Sequence, residues 1–239
     1  MTVSKSSWEN LRHGYIDQGL AQLREAFDLK RSPSHTMELG VAYLWLSDYT
    51  AGSDHFENAI RTVRDPADAY YGMAGVAKWC LDDWKTAIDR WVAGLNAGRV
   101  DVAGGIGLPL LLFAASILKP ESFSRTAAEQ LMRDKVGNPR SKNWPGPLAK
   151  FILGLVDEGA LKNACLDRNG STTLPHRIRL VQFYKGILEL SEQPDNTKAL
   201  KQLMLGVADT SQGEWVEEKD FLYLLWSEEF FIARHEASD

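Results

Sequence analysis

At 239 residues, 44% hydrophobic and 25% charged, the chain has the make-up of a folded protein long enough for one large core or a continuous helical solenoid. Its formal charge of −5, with no concentrated basic stripe, argues against a nucleic-acid surface and leaves room for a basic partner. Cys80 and Cys165 stand alone without a metal spacing, so neither a disulfide framework nor a metal site is expected, and a reducing, cytoplasmic setting fits.

Helical spacing recurs along the chain while strand alternation is scarce. The opening MTVSKSSWENLRHG contains no apolar run resembling a signal peptide. Residues 7–30 read as one helix, with Leu11, Tyr15, Leu20, Leu23 and Phe27 supplying apolar faces around Gly14, and Ser32-Pro33-Ser34 breaks it. Helices over 35–47 and 50–63 follow, the second ending before Asp65-Pro66. The next pair covers 67–81 and 83–96; Asp82-Asp83 caps its second member and Asn96-Ala97-Gly98 closes it.

A glycine-rich stretch, Asp101 to Gly107, leads into the apolar run Ile106 to Leu118. That run falls short of the roughly 20 residues needed to span a bilayer and contains Pro109, so a buried helix is predicted. Helix 122–135 precedes a loop over 136–147, short helices cover 148–155 and 157–166, and 167–175 is another loop. Residues 176–191 and 196–208 form a further hairpin, its second helix carrying Ala199, Leu203 and Gly206. A final helix over 214–236, aromatic on one face and charged on the other, has the character of a solenoid cap. No linker is long enough to divide the chain, so a single domain is expected.

Two stretches repeat one small-and-large pattern. Leu39-Gly40, Tyr49, Gly52, Phe56 and Ala59 are matched, about 35 residues on, by Ala74-Gly75, Trp84, Ala87, Trp91 and Gly94. A weaker copy, Gly14, Ile16, Gly19, Leu23 and Ala26, precedes them. Helices approach closely only where side chains are small, and an aromatic ring fills the adjacent gap. These residues, with Tyr43, resemble the tetratricopeptide repeat over 35–97, and more loosely over 8–33 and 180–210; Lys78 departs from the pattern at the position Tyr43 holds, and 98–175 does not follow it. The resemblance implies an all-α superhelix of antiparallel helix pairs with a concave groove that binds proteins or peptides, irregular in the middle and closed by the C-terminal helix. The wider layout, with Trp144 to Pro147, Phe151, Leu153-Gly154 and an acidic-aromatic final helix, resembles small bacterial repeat proteins, some of which serve as immunity proteins to secreted toxins.

Chemistry-bearing motifs are few. His13, His35, His55, His176 and His235 are scattered, and no HExxH or nucleophile elbow occurs, so no catalytic residue, metal or cofactor is expected. Gly104-Gly105-Ile106-Gly107 lacks the lysine and hydroxyl of a phosphate loop, and a close helix–helix turn accounts for it better. Adjacent carboxylates on a helix point about 100° apart, so Glu217-Glu218 and Glu228-Glu229 are expected to solvate the terminal helix. Trp84 and Trp91 are expected in the core, and Trp144 beneath the next helix.

Trp45 and Trp79 sit near the ends of first-in-pair helices, which the resemblance places on the groove. Met37, Val41, Leu44, Ala69, Gly72 and Val76 would line the same surface. Tryptophans there would anchor a partner; the alternative is that both plug gaps between hairpins. Asp82, Asp83 and Asp101 are candidates for an acidic rim that recruits Lys or Arg from a partner. The expected function is non-catalytic protein binding, most concretely an immunity-type inhibitor of a basic toxin domain. A peptide-binding adaptor or chaperone, and a small-molecule enzyme using the Gly104 region and nearby acids, are the alternatives; a strongly perturbed carboxylate in a deep pocket would favour the enzyme.

Overall fold

Helices form where the periodicity places them, and capping chemistry sets their ends. The computed structural model describes residues 3–30, 32–167, 174–193 and 228–236. In chain order these hold α1 (Val3–Arg12), α2 (Ile16–Leu29), α3 (Pro33–Trp45), α4 (Tyr49–Thr62), α5 (Asp68–Trp79) and α6 (Trp84–Gly94). There follow α7 (Gly107–Leu118), α8 (Arg125–Val136), a 3-10 turn at Pro139–Lys142, α9 (Gly146–Ile152), α10 (Glu158–Leu166), α11 (Leu174–Glu192) and α12 (Glu228–Glu236). Among the described residues no strand forms, and an isolated bridge joins Ala67 to Arg99. The fold is all-α, and neighbouring helices pack against each other in chain order. The predicted helix 196–208 and the part of the last helix before residue 228, with Glu217-Glu218, lie outside the described residues.

One expected helix is two. Residues 7–30 divide at Gly14, whose φ of +80° suits glycine and reverses the chain. The same turn recurs down the chain. Gly14, Ser47 and Asp82 are all left-handed, with φ of 80°, 62° and 57°. The N–H of each reaches back three residues, to the carbonyls of Leu11, Leu44 and Trp79. The following N–H reaches back five, from Tyr15 to Asn10, Asp48 to Tyr43 and Asp83 to Lys78. This paired closure satisfies the last carbonyls of α1, α3 and α5 alike. In the second and third turns the next residue caps the following helix: Asp48 Oδ1 accepts from Ala51 N at 3.1 Å and Asp83 Oδ1 from Thr86 N at 3.2 Å. Each such cap contributes about 1 kcal/mol.

Packing within the pairs follows the glycines. A Cβ on Gly40 would lie 2.5 Å from the Phe56 ring, and one on Gly75 would lie 2.2 Å from Trp91 Nε1. The ring of the second helix thus rests on the bare backbone of the first. Trp91 also donates from Nε1 to the Gly72 carbonyl at 3.0 Å and stacks on Trp79, with centroids 5.7 Å apart. Beyond these pairs α7 is buried from Leu108 to Ser116, which explains its apolar run, and among the described residues no helix is long and apolar enough to cross a membrane. The chain then folds back: α11 packs on α7 and α9, and α12 on α5 and α11.

Both cysteines are buried. Burial, with the charge of Glu236 next in weight, pushes the Cys80 thiol up to about 12, and burial raises Cys165 as well. Neither is expected to react with a thiol reagent at neutral pH until the chain is denatured, because the thiolate is the reactive form; a time-resolved colorimetric thiol titration with and without denaturant measures this.

Candidate functional site

The face expected to be a concave groove is filled from within by α12. Arg234 donates to the Trp45 carbonyl at 2.9 Å and to Ser47 Oγ at 3.0 Å. His235 Nε2 lies 3.3 Å from Asp82 Oδ1, and Glu236 accepts from Trp79 Nε1 at 2.9 Å and pairs with Lys119 at 3.6 Å. Phe231, Ile232 and Ala233 are buried in the same core as α3 and α5. Met37, Val41, Leu44, Val76 and Trp79 are accordingly buried and Trp45 is half-buried. These residues are therefore reassigned from a free binding surface to the core and the seat of α12. The reason is the hydrophobic effect: each large side chain buried contributes about 1.5–3 kcal/mol, so a bare apolar face is stabilised by being covered, here by Phe231, Ile232 and Ala233 of α12.

The acidic rim also divides. Asp82 and Asp83 follow the end of α5, where one pairs with His235 and the other caps α6. Asp101 lies at the opposite end, where its N–H donates to Asp68 Oδ2 at 2.9 Å. A 12-residue helix separates them, about 18 Å at 1.5 Å per residue.

Asp101 belongs to a different constellation. Its Oδ1 accepts the N–H groups of Ala103 and Gly105, both at 2.8 Å, and its Oδ2 that of Gly107 at 2.9 Å. Gly104 and Gly105, with φ of 89° and 83°, let the loop wrap around this carboxylate. The amides that could have cradled a phosphate are taken by an internal anion. The glycines thus serve this wrap rather than a close helix–helix turn. Asp68, opening α5, is held in the same way by the N–H of Ala69 at 2.8 Å and that of Asp101.

These two aspartates, with Glu228 and Glu229 from the first turn of α12, line a cavity of about 220 Å³. Leu108, Leu111 and Leu180 give it an apolar floor, and Trp144 and His176 complete the wall. Among the described residues no Lys or Arg lines it. Glu228 and Glu229 were expected in solvent, but the start of α12 enters the interior, and a wide cavity admits adjacent side chains that could not share one point. The backbone of Gly72 makes room for Glu228; a Cβ there would lie 2.6 Å from Glu228 Oε1. Glu229 Oε1 accepts from the buried Tyr184 hydroxyl at 3.1 Å. Trp144 is 7% exposed, the Arg177 guanidinium lies 5.7 Å over its ring, and its Nε1 has no hydrogen-bond partner among the described residues.

Burial first, and then the charge of Glu229, raise the Glu228 carboxyl well above the ordinary range, with Asp68 and Asp101 adding to the shift. Burial likewise raises Asp68, against which its backbone hydrogen bonds and Lys135 work. The folded state therefore holds these protons more tightly than the unfolded chain does. The stability this contributes is present below about pH 4, the ordinary carboxylate range, and is lost as pH rises toward the raised native values. Glu228→Gln is expected to raise the thermal midpoint above wild type at about pH 8, with the gain shrinking toward pH 4. Calorimetric scans across that range measure it.

Of the candidate groove and rim residues, the structure brings Asp101 and Ala69 into this site. Asp68, Glu228, Glu229, Trp144 and His176 were not combined with them. One local signal existed, the acid leading a glycine-rich turn; the acids it meets lie far away in sequence. Among the described residues no group of three or more His, Cys, Asp or Glu is placed to hold a metal ion. In comparison with known proteins, no family model matches the chain and no curated protein matches it.

Proposed function

We propose that this protein is a non-catalytic binding module on a tetratricopeptide-like superhelix, and that its recognition element is the acid-walled cavity at the start of α7. The observation that carries the reading is four acidic side chains, Asp68, Asp101, Glu228 and Glu229, lining one cavity. A basic side chain from a protein partner is the group such an acidic lining attracts. In its most concrete form the partner is a basic toxin domain and the protein its immunity-type inhibitor, a reading that the net charge of −5 and the repeated hairpin turns support. Two acids fixed by backbone hydrogen bonds suit such a role, since a rigid site loses little entropy on binding. A tagged copy purified from its native cell is expected to carry one stoichiometric partner, toxic when expressed alone, that is lost with Glu228→Lys. Retention of the partner by that variant, with its helical circular dichroism unchanged, overturns the reading.

One observation favours a second reading, a small-molecule enzyme. Glu228 holds a proton more tightly than an ordinary glutamate beside a cavity, as a general acid must. Loss of one compound from a metabolite extract with wild type, but not with Glu228→Gln, is the outcome that reading requires.

A further inference from the structure

Resting on the acid-walled cavity as the recognition element, we propose that α12 is a strap that assembles it. The last turn of the helix, clamped on the turns of three successive hairpins, holds the first turn in the cavity wall; loss of the clamp lifts the helix while the hairpins stay folded.

The clamp is three consecutive side chains, each on a different hairpin. Arg234 donates to the Trp45 carbonyl at 2.9 Å and to Ser47 Oγ at 3.0 Å, at the turn between α3 and α4. His235 Nε2 lies 3.3 Å from Asp82 Oδ1, at the turn between α5 and α6. Glu236 pairs at 3.6 Å with Lys119, which directly follows α7, and accepts from Trp79 Nε1 at 2.9 Å. Lys119 is itself held over the Trp84 ring, 4.5 Å from its centroid. Some nine residues back, about 13 Å at 1.5 Å per residue, the first turn of the same helix supplies Glu228 and Glu229 to the cavity lining. One short rod joins the two places.

The cavity end does not hold itself. Burial works against the charge of Glu228, while Glu229 accepts from the Tyr184 hydroxyl at 3.1 Å. Nor does the helix stand alone: isolated helices shorter than about 12–15 residues are marginal in water, so α12 forms as it docks. The hairpins are built without it. Phe56 on Gly40, Trp91 on Gly75, and the Asp48 and Asp83 caps are contacts made within each pair. Docked and lifted α12 are therefore two states of one folded scaffold, a local opening rather than global unfolding. The chain carries its own reporter of that opening. Cys80 lies under the strap, its Sγ 3.8 Å from the Phe231 carbonyl, whereas Cys165 lies at the end of α10, whose closing carbonyls Arg177 holds.

Thiol labelling of the full chain at neutral pH, read by mass spectrometry of the two cysteine peptides, tests the proposal. In wild type labelling is expected to be barely detectable. Arg234→Met and Glu236→Ala are each expected to speed it at Cys80 by about tenfold, the scale of a lost hydrogen bond to a charged group, with Cys165 and the helical circular dichroism unchanged. Lys119→Met, outside α12, is expected to act in the same direction. Arg90→Met, which breaks the 2.6 Å pair with Glu57 between α6 and α4, is expected to change neither cysteine. Glu228→Gln, added to Arg234→Met, is expected to slow Cys80 again, because it relieves the cost at the other end of the helix. No selective gain at Cys80 in any of the three clamp variants overturns the strap. Labelling needs no partner, so it judges the strap alone; a toxic partner still bound by variants whose Cys80 has become reactive sinks the cavity reading and leaves the strap standing.

Discussion

Replacing Trp79 by alanine is expected to lower the stability of the fold by about 3–5 kcal/mol, the range for truncating a buried large aromatic. Trp79 is fully buried, stacks on Trp91, and ties α5 to α12 through the hydrogen bond to Glu236. Removing the ring leaves a void beside Trp91 and strips Glu236 of its indole donor, so α12 loosens as well. Against a typical total of about 5–15 kcal/mol, such a loss approaches unfolding. A urea titration is expected to show a large fall in midpoint, and hydrogen exchange to show lost protection in α12. An unchanged midpoint would return Trp79 to the role of an exposed anchor. Trp45, half-buried, is expected to cost less; what ties it to Arg234 includes its carbonyl, which alanine keeps.

The second large effect carries an unusual sign. In an ordinary helix Gly→Ala stabilises by roughly 0.5–1 kcal/mol, because glycine loses more backbone entropy on folding. Gly75→Ala is expected to destabilise instead, by about 1–3 kcal/mol, as overpacking does. The new methyl would sit 2.2 Å from Nε1 and 2.5 Å from Cδ1 of Trp91, a stiff ring pinned by its hydrogen bond to Gly72. Trp91→Phe opens that space, so the double variant is expected to fall well short of the summed single costs, with a coupling of about 0.5–3 kcal/mol. Chemical denaturation of the four proteins measures the cycle. Strict additivity would mean that Gly75 is not there for the ring. Gly40 beneath Phe56 is expected to behave alike, since the geometry repeats with the sequence pattern.

These contacts shift attention along α5. Its middle and end, expected to form the groove, are covered by α12; its start opens on the acid-walled cavity, where Ala69 joins the lining and Gly72 makes way for Glu228. Binding at this end needs no displacement of α12, whereas binding at Trp79 would require removing a helix anchored by Arg234, His235 and Glu236.

What the sequence determined by itself is local. The spacing of apolar residues placed the described helices, the aspartates at 48 and 83 marked caps, and the glycine–aromatic pattern marked where paired helices touch. Each depends on residues within one hairpin, where helical geometry fixes who meets whom. Even there, Gly14 inside an amphipathic pattern read as tolerated until its left-handed backbone divided α1 from α2. Tertiary structure alone decided the functional geometry. Asp101 led a recognisable glycine turn, but Asp68 meets it only because a bridge joins Ala67 and Arg99. Glu228 and Glu229 read as solvated on their own helix, and became interior acids because α12 returns across the chain to bury Phe231 and Ile232 against the core. Apolar burial is non-directional: it dictates that such a face be covered, and only the packed fold selects which distant segment covers it and which carboxylates are carried inside.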